Sequence, residues 1–448
     1  MINLYFVYGG LFMFELDEKE RLILGLVEEY ARTLVPKTVP RVAGGWVRDK
    51  LIGIASHDID IALDTISGEK FVKGLIQYNS LSVKIGKIEA NPDKSKHLET
   101  IVVNLHGLDV DFVHLRNEKY TESRIPTITV GTPEEDAFRR DITVNALFYN
   151  IYTKEIEDFT GRGLNDLKNK IIDTPLDPMK TLLDDPLRIL RVFRFHAKLN
   201  FTISDRFYQS IKNQNIKDAF RTKVSAERVW AELQKMFSYD NGCSGLLDIC
   251  KHNFIDPIFK IKADDDIYND AIRFYGRIKS YLDKNVTFLT TDSKMILKLY
   301  IVLHRTIRKY ENKAFYNYTI LRDALKAPNI ICKAINVIES NYQAYMDNMS
   351  EDSLIDCLLD SGFHWRIIVV IAYGAGKLKN VADIIEKVDA KELEEKALKS
   401  KFKVDGNDLK GLVENKSEIK NLLRKCRVTE IKYPNLTKDE IIGRIMKS

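Results

Sequence analysis

The stretch from Arg41 to Ile61, RVAGGWVRDKLIGIASHDIDI, restricts the possible folds more than any other part of the chain. Val42 and Ala43 read as the end of a strand. Gly44 and Gly45 then allow a tight turn that presents bare N–H groups to an anion. Trp46 to Leu51 reads as a short helix with Gly53 as its C-cap. The glycines therefore sit at a helix N-terminus, where phosphate binds readily. Arg48 and Lys50 add positive charge beside them. Asp58 to Leu63 reads as a strand, so Asp58 and Asp60 share one face while Ile59 and Ile61 point into a core. Two parallel carboxylates repel unless a cation lies between them. Oxygen ligands of this kind suit Mg²⁺ shared with substrate phosphates. Either element alone is commonplace; their order and spacing are specific.

Composition limits the rest. At 448 residues the chain is long enough for roughly three domains. With 45% hydrophobic and 30% charged residues it reads as a soluble globular protein. The net charge of +5 gives no grossly basic footprint, but Lys391 to Ser448 hold 15 Lys/Arg against 10 Asp/Glu. A nucleic-acid surface can therefore be local. Five cysteines at 243, 250, 332, 357 and 426 show neither zinc-finger spacing nor a disulfide framework, and read as buried thiols in a reducing compartment. No apolar run is long enough to span a membrane. Met1 to Phe12 read as an extension without a secretory or transit pattern.

Asp17 to Leu34 is amphipathic, with Ile23, Leu26, Val27, Tyr30 and Leu34 at helical spacing. Ser67 starts a second helix, through Tyr78. Leu81 to Ile85 reads as a strand, and Gly86 to Glu99 as a polar loop with an Asn91-Pro92-Asp93 turn. Thr100–Leu105 and Leu108–Leu115 form a hairpin around His106-Gly107. Asp111 lies mid-strand, either as a third carboxylate beside Asp58 and Asp60 or as a structural hydrogen-bonding group.

Four later phrases stand out, the first and third for their chemistry and the other two for structure. In Ala137 to Leu147, AFRRDITVNAL, Arg139 and Arg140 can offer forked donors to triphosphate oxygens. Asp141 can orient an arginine, and Asn145, leading into a strand, can bond a ribose hydroxyl. Asp158 to Leu167, DFTGRGLNDL, reads as a turn and an N-capped helix. Leu183 to Phe195, LDDPLRILRVFRF, opens a helix at Pro186 and repeats Arg188, Arg191 and Arg194 along one stripe. Lys223 to Met236, KVSAERVWAELQKM, reads as a helix with Ser225 at its N-cap, in which Glu227, Arg228 and Glu232 brace the structure.

In this order the phrases resemble motifs A to E of the class II tRNA nucleotidyltransferases, the CCA-adding enzymes, in their eukaryotic form. Their superfamily includes DNA polymerase β and bacterial poly(A) polymerases. The resemblance covers about Arg41 to Met236. It implies an α+β fold: a nucleotidyltransferase head with a small mixed β-sheet, followed by an all-helical neck, body and tail. The expected segments are 1–36 (extension and packing helix), 37–165 (head), 166–240 (neck), 241–330 (body) and 331–448 (tail). The implied activity adds C, C and A to a tRNA lacking its 3′ CCA, from CTP and ATP, with two Mg²⁺ ions and a protein template. Asp58 and Asp60 would hold metal, with Asp111 as the third carboxylate. Gly44, Gly45, Arg48, Arg139, Arg140, Asp141 and Asn145 would face the triphosphate and ribose. Asp185 and Arg188 would read the base, with Arg191 and Arg194 in reach. Asp158 to Leu167 would serve as a hinge, and Gly86 to Glu99 as a loop aiding the change from C to A. Neither membrane nor DNA is expected as a partner. The expected location is the cytoplasm, with nuclear and mitochondrial pools. The alternatives are a poly(A) polymerase, a partial CC- or A-adding enzyme, and an inactive tRNA-binding module.

Beyond Asn241 the pattern is helical: Leu246 to Ile261, Tyr268 to Leu282, Lys294 to Val302 and Phe315 to Leu325. Arg305 to Tyr318 mixes basic and aromatic residues, either as a solvated helix or as a tRNA-backbone contact. Val404 to Leu412 resembles the family's tail turn, without the Gly- and Pro-rich segment that usually follows.

Overall fold

The computed structural model describes residues 15–56, 58–88, 100–119, 127–261, 266–283, 286–309, 316–346, 350–398, 401–410, 412–413 and 415–447. Met1 to Phe12, most of the Gly86–Glu99 loop and the side chains of 305–317 lie outside these residues. The chain forms two compact units, residues 1–245 and 246–448.

In the first unit, helix α1 (Glu18–Thr33) is started by Asp17. Its side chain accepts from Glu20 N at 2.9 Å, and Glu20 returns a bond to Asp17 N at 2.8 Å. This reciprocal cap satisfies donors the helix itself cannot. The expected helix is present, but Leu24 and Ala31 join Ile23 and Val27 in the core, whereas Leu26, Tyr30 and Leu34 are only partly buried. Glu20 is buried, and its carboxylate also accepts from Trp46 Nε1 at 3.1 Å and Lys50 Nζ at 2.6 Å. One carboxylate thus fastens α1 to the helix that follows the glycines.

Strand β1 (Arg41–Ala43) leads through Gly44 into α2 (Gly45–Leu51), then β2 (Asp58–Leu63) and α3 (Gly68–Tyr78), capped by Ser67. Strands β3 (Ile85–Ile88), β4 (Thr100–Leu105) and β5 (Leu108–His114) follow. The third strand corrects the expected Leu81–Ile85. Residues 81–84 pair with no strand, and it is Ile85–Ile88 that pairs antiparallel with β4, drawing the start of the polar segment into the sheet. The expected hairpin of β4 and β5 is present. A ribbon of β6 (Arg116–Lys119) and β7 (Thr127–Val130), then α4 (Pro133–Phe138), β8 (Phe148–Asn150) and β9 (Ile156–Glu157), complete the head.

The main sheet runs β3-β4-β5-β2-β1-β8-β9. It is mixed: β2 and β5 are parallel, the other pairs antiparallel. Ile59, Ile61, Phe112 and Val110 fill one face and are at most 1% exposed. That burial fixes the register, because a one-residue slip would turn the aspartates into the core. Asn145 does not lead straight into the strand expected after it. It closes a single 3₁₀ turn, Thr143–Asn145, and the strand begins only at Phe148.

Helix α5 (Gly163–Asn169) follows a loop in which Asp158 accepts from Leu164 N at 3.0 Å. The short parallel pair β10 (Ile171–Ile172) and β11 (Thr202–Ile203) flanks α6 (Pro178–Asp184) and α7 (Arg188–Leu199). Helices α8 (Asp205–Ile211), α9 (Gln214–Lys223) and α10 (Ala226–Phe237) follow. Ser225 holds the N-cap position of α10 as expected, but its hydroxyl makes no capping bond.

The second unit is helical among its described residues. The expected helix Leu246–Ile261 is broken into Gly242–Lys251 and Ile255–Phe259, because Asn253 takes a left-handed conformation between them. Trp365 and the apolar run Ile367–Ile371 are buried. In the tail turn, Asp405 and Asp408 bond backbone N–H groups across the loop, and Val404 and Leu409 pack with Cys426 and Ile441. All five cysteines are buried free thiols. Among the described residues no helix is long and apolar enough to cross a membrane.

Candidate active site

A cleft of about 660 Å³ opens in the first unit. Its walls hold Gly44, Gly45, Arg48, Asp60, Arg139, Arg140, Asp141, Asn145, Asp185, Arg188 and Arg191. Residues from Gly44 to Arg191 thus meet in one place. Asp58 and Asp111 stand beside this wall on the sheet, and Arg194 lies behind it.

The glycine turn is built for close approach. Gly44 has φ +76°, and a Cβ there would come 2.6 Å from Arg140 Nη1. Only glycine lets the turn and the guanidinium share that space. Arg140 is held by Asp136 Oδ2 (Nη2, 2.8 Å) and donates to the Asn145 carbonyl at 3.1 Å.

On the sheet wall, parallel pairing sets Asp58 beside Asp109 and Asp60 beside Asp111. All four therefore share one face. Asp109 was not expected at this face; it accepts from Asn104 at 2.8 Å. Burial, and then the charge of Asp111, push Asp60 up to about 6; Arg140 opposes the shift and Asp58 adds to it. Among the described residues no three His, Cys, Asp or Glu side chains gather closely enough to hold a metal ion by themselves. Asp58 and Asp60 share the face of β2, and Asp109 and Asp111 that of β5.

The helix wall behaves in the opposite way. Burial would raise Asp136, but Arg139 and Arg140 overcome it and hold it at about 2. Burial likewise works against the Asp141 carboxylate. Arg191, Asn145 and Arg194 overcome it and keep Asp141 well below the usual carboxylate range. The expected basic stripe of α7 is therefore not a solvated face. Arg188 is 6% and Arg194 7% exposed. Arg188 donates to Thr181 Oγ1 and to the Arg139 carbonyl, the latter at 2.6 Å. Arg191 Nε donates to Asp141 Oδ2 at 2.8 Å, and Arg194 Nε to Glu232 Oε2 at 2.6 Å. The expected orientation of an arginine by Asp141 is met by Arg191.

Arg48 is the placement that differs most from expectation. It is 2% exposed, and its guanidinium is taken up by Asp49 (Nε, 2.8 Å) and by Asn145 Oδ1. It borders the cleft but is occupied by neighbouring side chains. Arg228, read as a brace, donates to Asp185 Oδ2 at 3.0 Å and also lines the cleft. Glu232 does brace, through Arg194. Arg116, Glu118 and His114 also line the cleft. Arg116 and Glu118 had no signal in the sequence, because their strand β6 reads RNEK and has no apolar alternation; His114 ends strand β5, which was expected, but was not singled out.

Residues 40–173 match the Poly A polymerase head domain, and residues 200–264 match the probable RNA and SrmB-binding site of polymerase A. The chain is 51% identical over 218 residues to the mitochondrial CCA tRNA nucleotidyltransferase of Saccharomyces cerevisiae, covering 47% of this chain and 40% of that protein. It is 36% identical over 346 residues to the tRNA nucleotidyltransferase cca2 of Schizosaccharomyces pombe, covering 72% of each. The chain thus spans half or less of the length of the first two curated relatives it matches, and nearly three quarters of cca2. The solved structure of a CCA-adding enzyme, apo form II, superposes with a TM-score of 0.72 at 19% identity, over 96% of both chains. That likeness extends to the whole α+β architecture.

Proposed function

The chain belongs to the tRNA nucleotidyltransferase family, and from that premise we propose that it adds C, C and A to the 3′ end of a tRNA from CTP and ATP. The observation that carries this reading is the cleft itself. A partly unneutralised carboxylate wall faces a wall of arginines across a glycine turn. Solved neighbours of the same fold are complexes of CCA-adding enzymes with CTP, with ATP and with tRNA_CCA, which supports this choice of substrates.

In this reading the glycine turn, through the Gly45 N–H, and the Arg140 guanidinium receive the triphosphate, while the Gly44 N–H is held by the Leu147 carbonyl at 3.0 Å. The tRNA 3′-hydroxyl loses its proton to solvent as its oxygen attacks the α-phosphorus, the bond to the α–β bridging oxygen breaks, and pyrophosphate leaves. Asp185 and Arg188 read the base: the carboxylate accepts from an exocyclic amine and the guanidinium donates to ring acceptors. Arg228 holds Asp185 in place. Asp58 and Asp60 would hold Mg²⁺, a fit supported by the raised Asp60 carboxyl and by this ion's habit of sharing few carboxylates with substrate phosphates. When bound, the metal supplies charge neutralisation at the nucleophile and at the leaving pyrophosphate. Asp111 would stand as the neighbour that keeps Asp60 in need of a cation. The head would be 37–165, the neck 166–240, the body 241–330 and the tail 331–448. A mitochondrial pool fits the Saccharomyces relative's name, and cytoplasmic and nuclear pools belong to the same reading.

The test uses tRNA transcripts ending before CCA, after C and after CC. Each is incubated with Mg²⁺ and single nucleotides and resolved at one-nucleotide resolution. Two C additions, one A and a stop are expected. A long A ladder, or only C or only A, would keep the chemistry and overturn the CCA assignment. Tight tRNA binding without addition would make the chain a binding module.

A further inference from the structure

The polar groups of the cleft are not independent. Lys198 Nζ donates to Asp49 Oδ2 at 3.0 Å, and Arg48 Nε donates to Asp49 Oδ1 at 2.8 Å. Arg48 Nη1 donates to Asn145 Oδ1, and Asn145 Nδ2 donates to Asp141 Oδ1 at 3.0 Å. Arg191 Nε donates to Asp141 Oδ2 at 2.8 Å, and Arg191 and Arg194 both face Glu232, at 3.6 and 2.6 Å. One continuous chain thus runs from α2, through the 3₁₀ turn at Asn145, to α7 and α10.

Asn145 sits at its centre, and its two ends are not interchangeable. A guanidinium can only donate, so it demands the carboxamide oxygen. A carboxylate can only accept, so it demands the nitrogen. Turned over, the amide would set its N–H against Arg48 and its oxygen against Asp141, two repulsive contacts in a buried place. Arg48, Asp141 and Asn145 are 2%, 7% and 7% exposed, so water does not soften that cost. Neither contact uses the second N–H of Nδ2. The cleft wall therefore offers one fixed donor, which a sugar hydroxyl oxygen can accept.

Resting on the nucleotide-transfer reading above, we propose that Arg48 and Asp141 are positioning residues for a sugar-reading Asn145, and that Asp141 couples sugar choice to the base-reading helix. Arg48 then acts through Asn145 and is not a triphosphate ligand. Asp141 cannot shift without moving Arg191, which lies one helical turn beyond Arg188 on α7. Choice of ribose over deoxyribose thus depends on a residue, Arg191, that is joined to Asn145 through Asp141.

The experiment compares CTP with dCTP as kcat/KM for addition to a tRNA lacking CCA, in the full chain, for wild type, Arg191→Gln, Arg191→Lys, Asn145→Ser and the double variant Arg191→Gln/Asn145→Ser. Arg191→Gln is expected to lower the ribose preference roughly tenfold, the scale of one charge-assisted hydrogen bond. Arg191→Lys should restore part of it. The double variant should fall no further than Asn145→Ser alone, because coupled residues are non-additive. Thermal midpoints and tRNA affinity, measured on every variant, separate this loss from unfolding. An unchanged ribose preference in a folded Arg191→Gln, or additive losses in the double variant, overturns the coupling. A wild type that adds C from CTP and dCTP equally well overturns the sugar role of Asn145 and leaves the transfer reading intact. A wild type that adds no nucleotide overturns that reading and the inference with it. Should Arg191→Gln fail to fold, the ratio for Arg191→Lys decides: an unchanged value overturns the coupling and a lowered one upholds it.

Discussion

The two walls of the cleft carry aspartates that titrate in opposite directions. On the sheet, Asp60 is pushed up to about 6 by burial and by Asp111. On the helical side, Asp136 is held at about 2 and Asp141 lower still, although both are more deeply buried. Burial acts alike on all three, so it does not explain the difference. Arginines do. Asp136 has Arg139 and Arg140, and Asp141 has Arg191, while carboxylate neighbours on the strands offset the help Asp60 receives from Arg140. The helical wall is complete as folded, and its charges hold the structure. On the sheet wall the carboxylates are less fully countered, and on the reading proposed above a cation would be held there.

The largest expected effect breaks this comparison at its functional end. Asp60→Asn should lower kcat/KM for nucleotide addition by about 10³-fold or more, the scale of several kcal/mol of lost charge stabilisation. Affinity for tRNA should be unchanged. Single-turnover incorporation checks it, and activity within tenfold of wild type would sink the metal-site assignment. Next, Asp136→Ala leaves two arginines facing a buried vacancy. Its cost in urea unfolding should be about 3–5 kcal/mol, the usual price of breaking a buried pair.

The pH dependence of the two walls has opposite sign. Asp136 has a depressed carboxyl, so its contribution to stability is present above its unfolded value of 3.8 and is lost as pH falls through about 2. Asp60 has a raised carboxyl, so its favourable contribution is present below 3.8 and is lost as pH rises through about 6. Without metal, Asp60→Asn should therefore be more stable than wild type at pH 8, by about 1–3 kcal/mol, and nearly equal to it at pH 4. Urea unfolding in a chelator at both pH values checks this. A gain of equal size at both would show that packing, not charge, separates the variants.

The sheet wall was legible because a strand has period two and a glycine turn leaves a local signature. Asp58, Asp60 and the core positions Ile59 and Ile61 follow from alternation alone. The helical wall was legible only as a list of charged residues. Nothing local tells which carboxylate an arginine meets, so Arg48 read as a phosphate ligand, and Arg228 read as a brace with no partner named. In the structure the first serves Asn145 and the second Asp185. Both contacts join residues more than 40 positions apart. The strand at Ile85–Ile88 was misplaced for the same reason: its partner β4 fixes it, and the alternation of Leu81 to Ile85 is overridden by that pairing. The fold class followed from the resemblance of the motifs, whereas the helical second unit showed only its periodicity.

A smaller effect sharpens the comparison on the arginine side. Arg228→Met keeps the apolar stem and removes the donor that holds Asp185. Preference for CTP over UTP should fall about tenfold, the value of one such bond, while KM for the tRNA stays constant. The same preference measured for Asp185→Asn sets the floor. A change in tRNA KM alone would return Arg228 to the role of a brace.

The smallest effect is the most direct test of the difference between the walls. Mg²⁺ binds few protein oxygens tightly without phosphates to share, so alone it should occupy the Asp58–Asp60 pair only weakly. At ten times a weak dissociation constant the stabilisation is about 1.4 kcal/mol. Thermal unfolding should therefore shift upward by a few degrees in millimolar Mg²⁺ at pH 8. At pH 5 the shift should shrink, because a carboxyl held near 6 is then largely protonated. Asp60→Asn should abolish it. Asp141→Asn should leave it intact at whatever lower midpoint that variant unfolds, because Asp141 is already satisfied by Arg191 and Asn145. A shift that survives Asp60→Asn, or one that Asp141→Asn removes, would place the cation on the helical wall and invert the comparison.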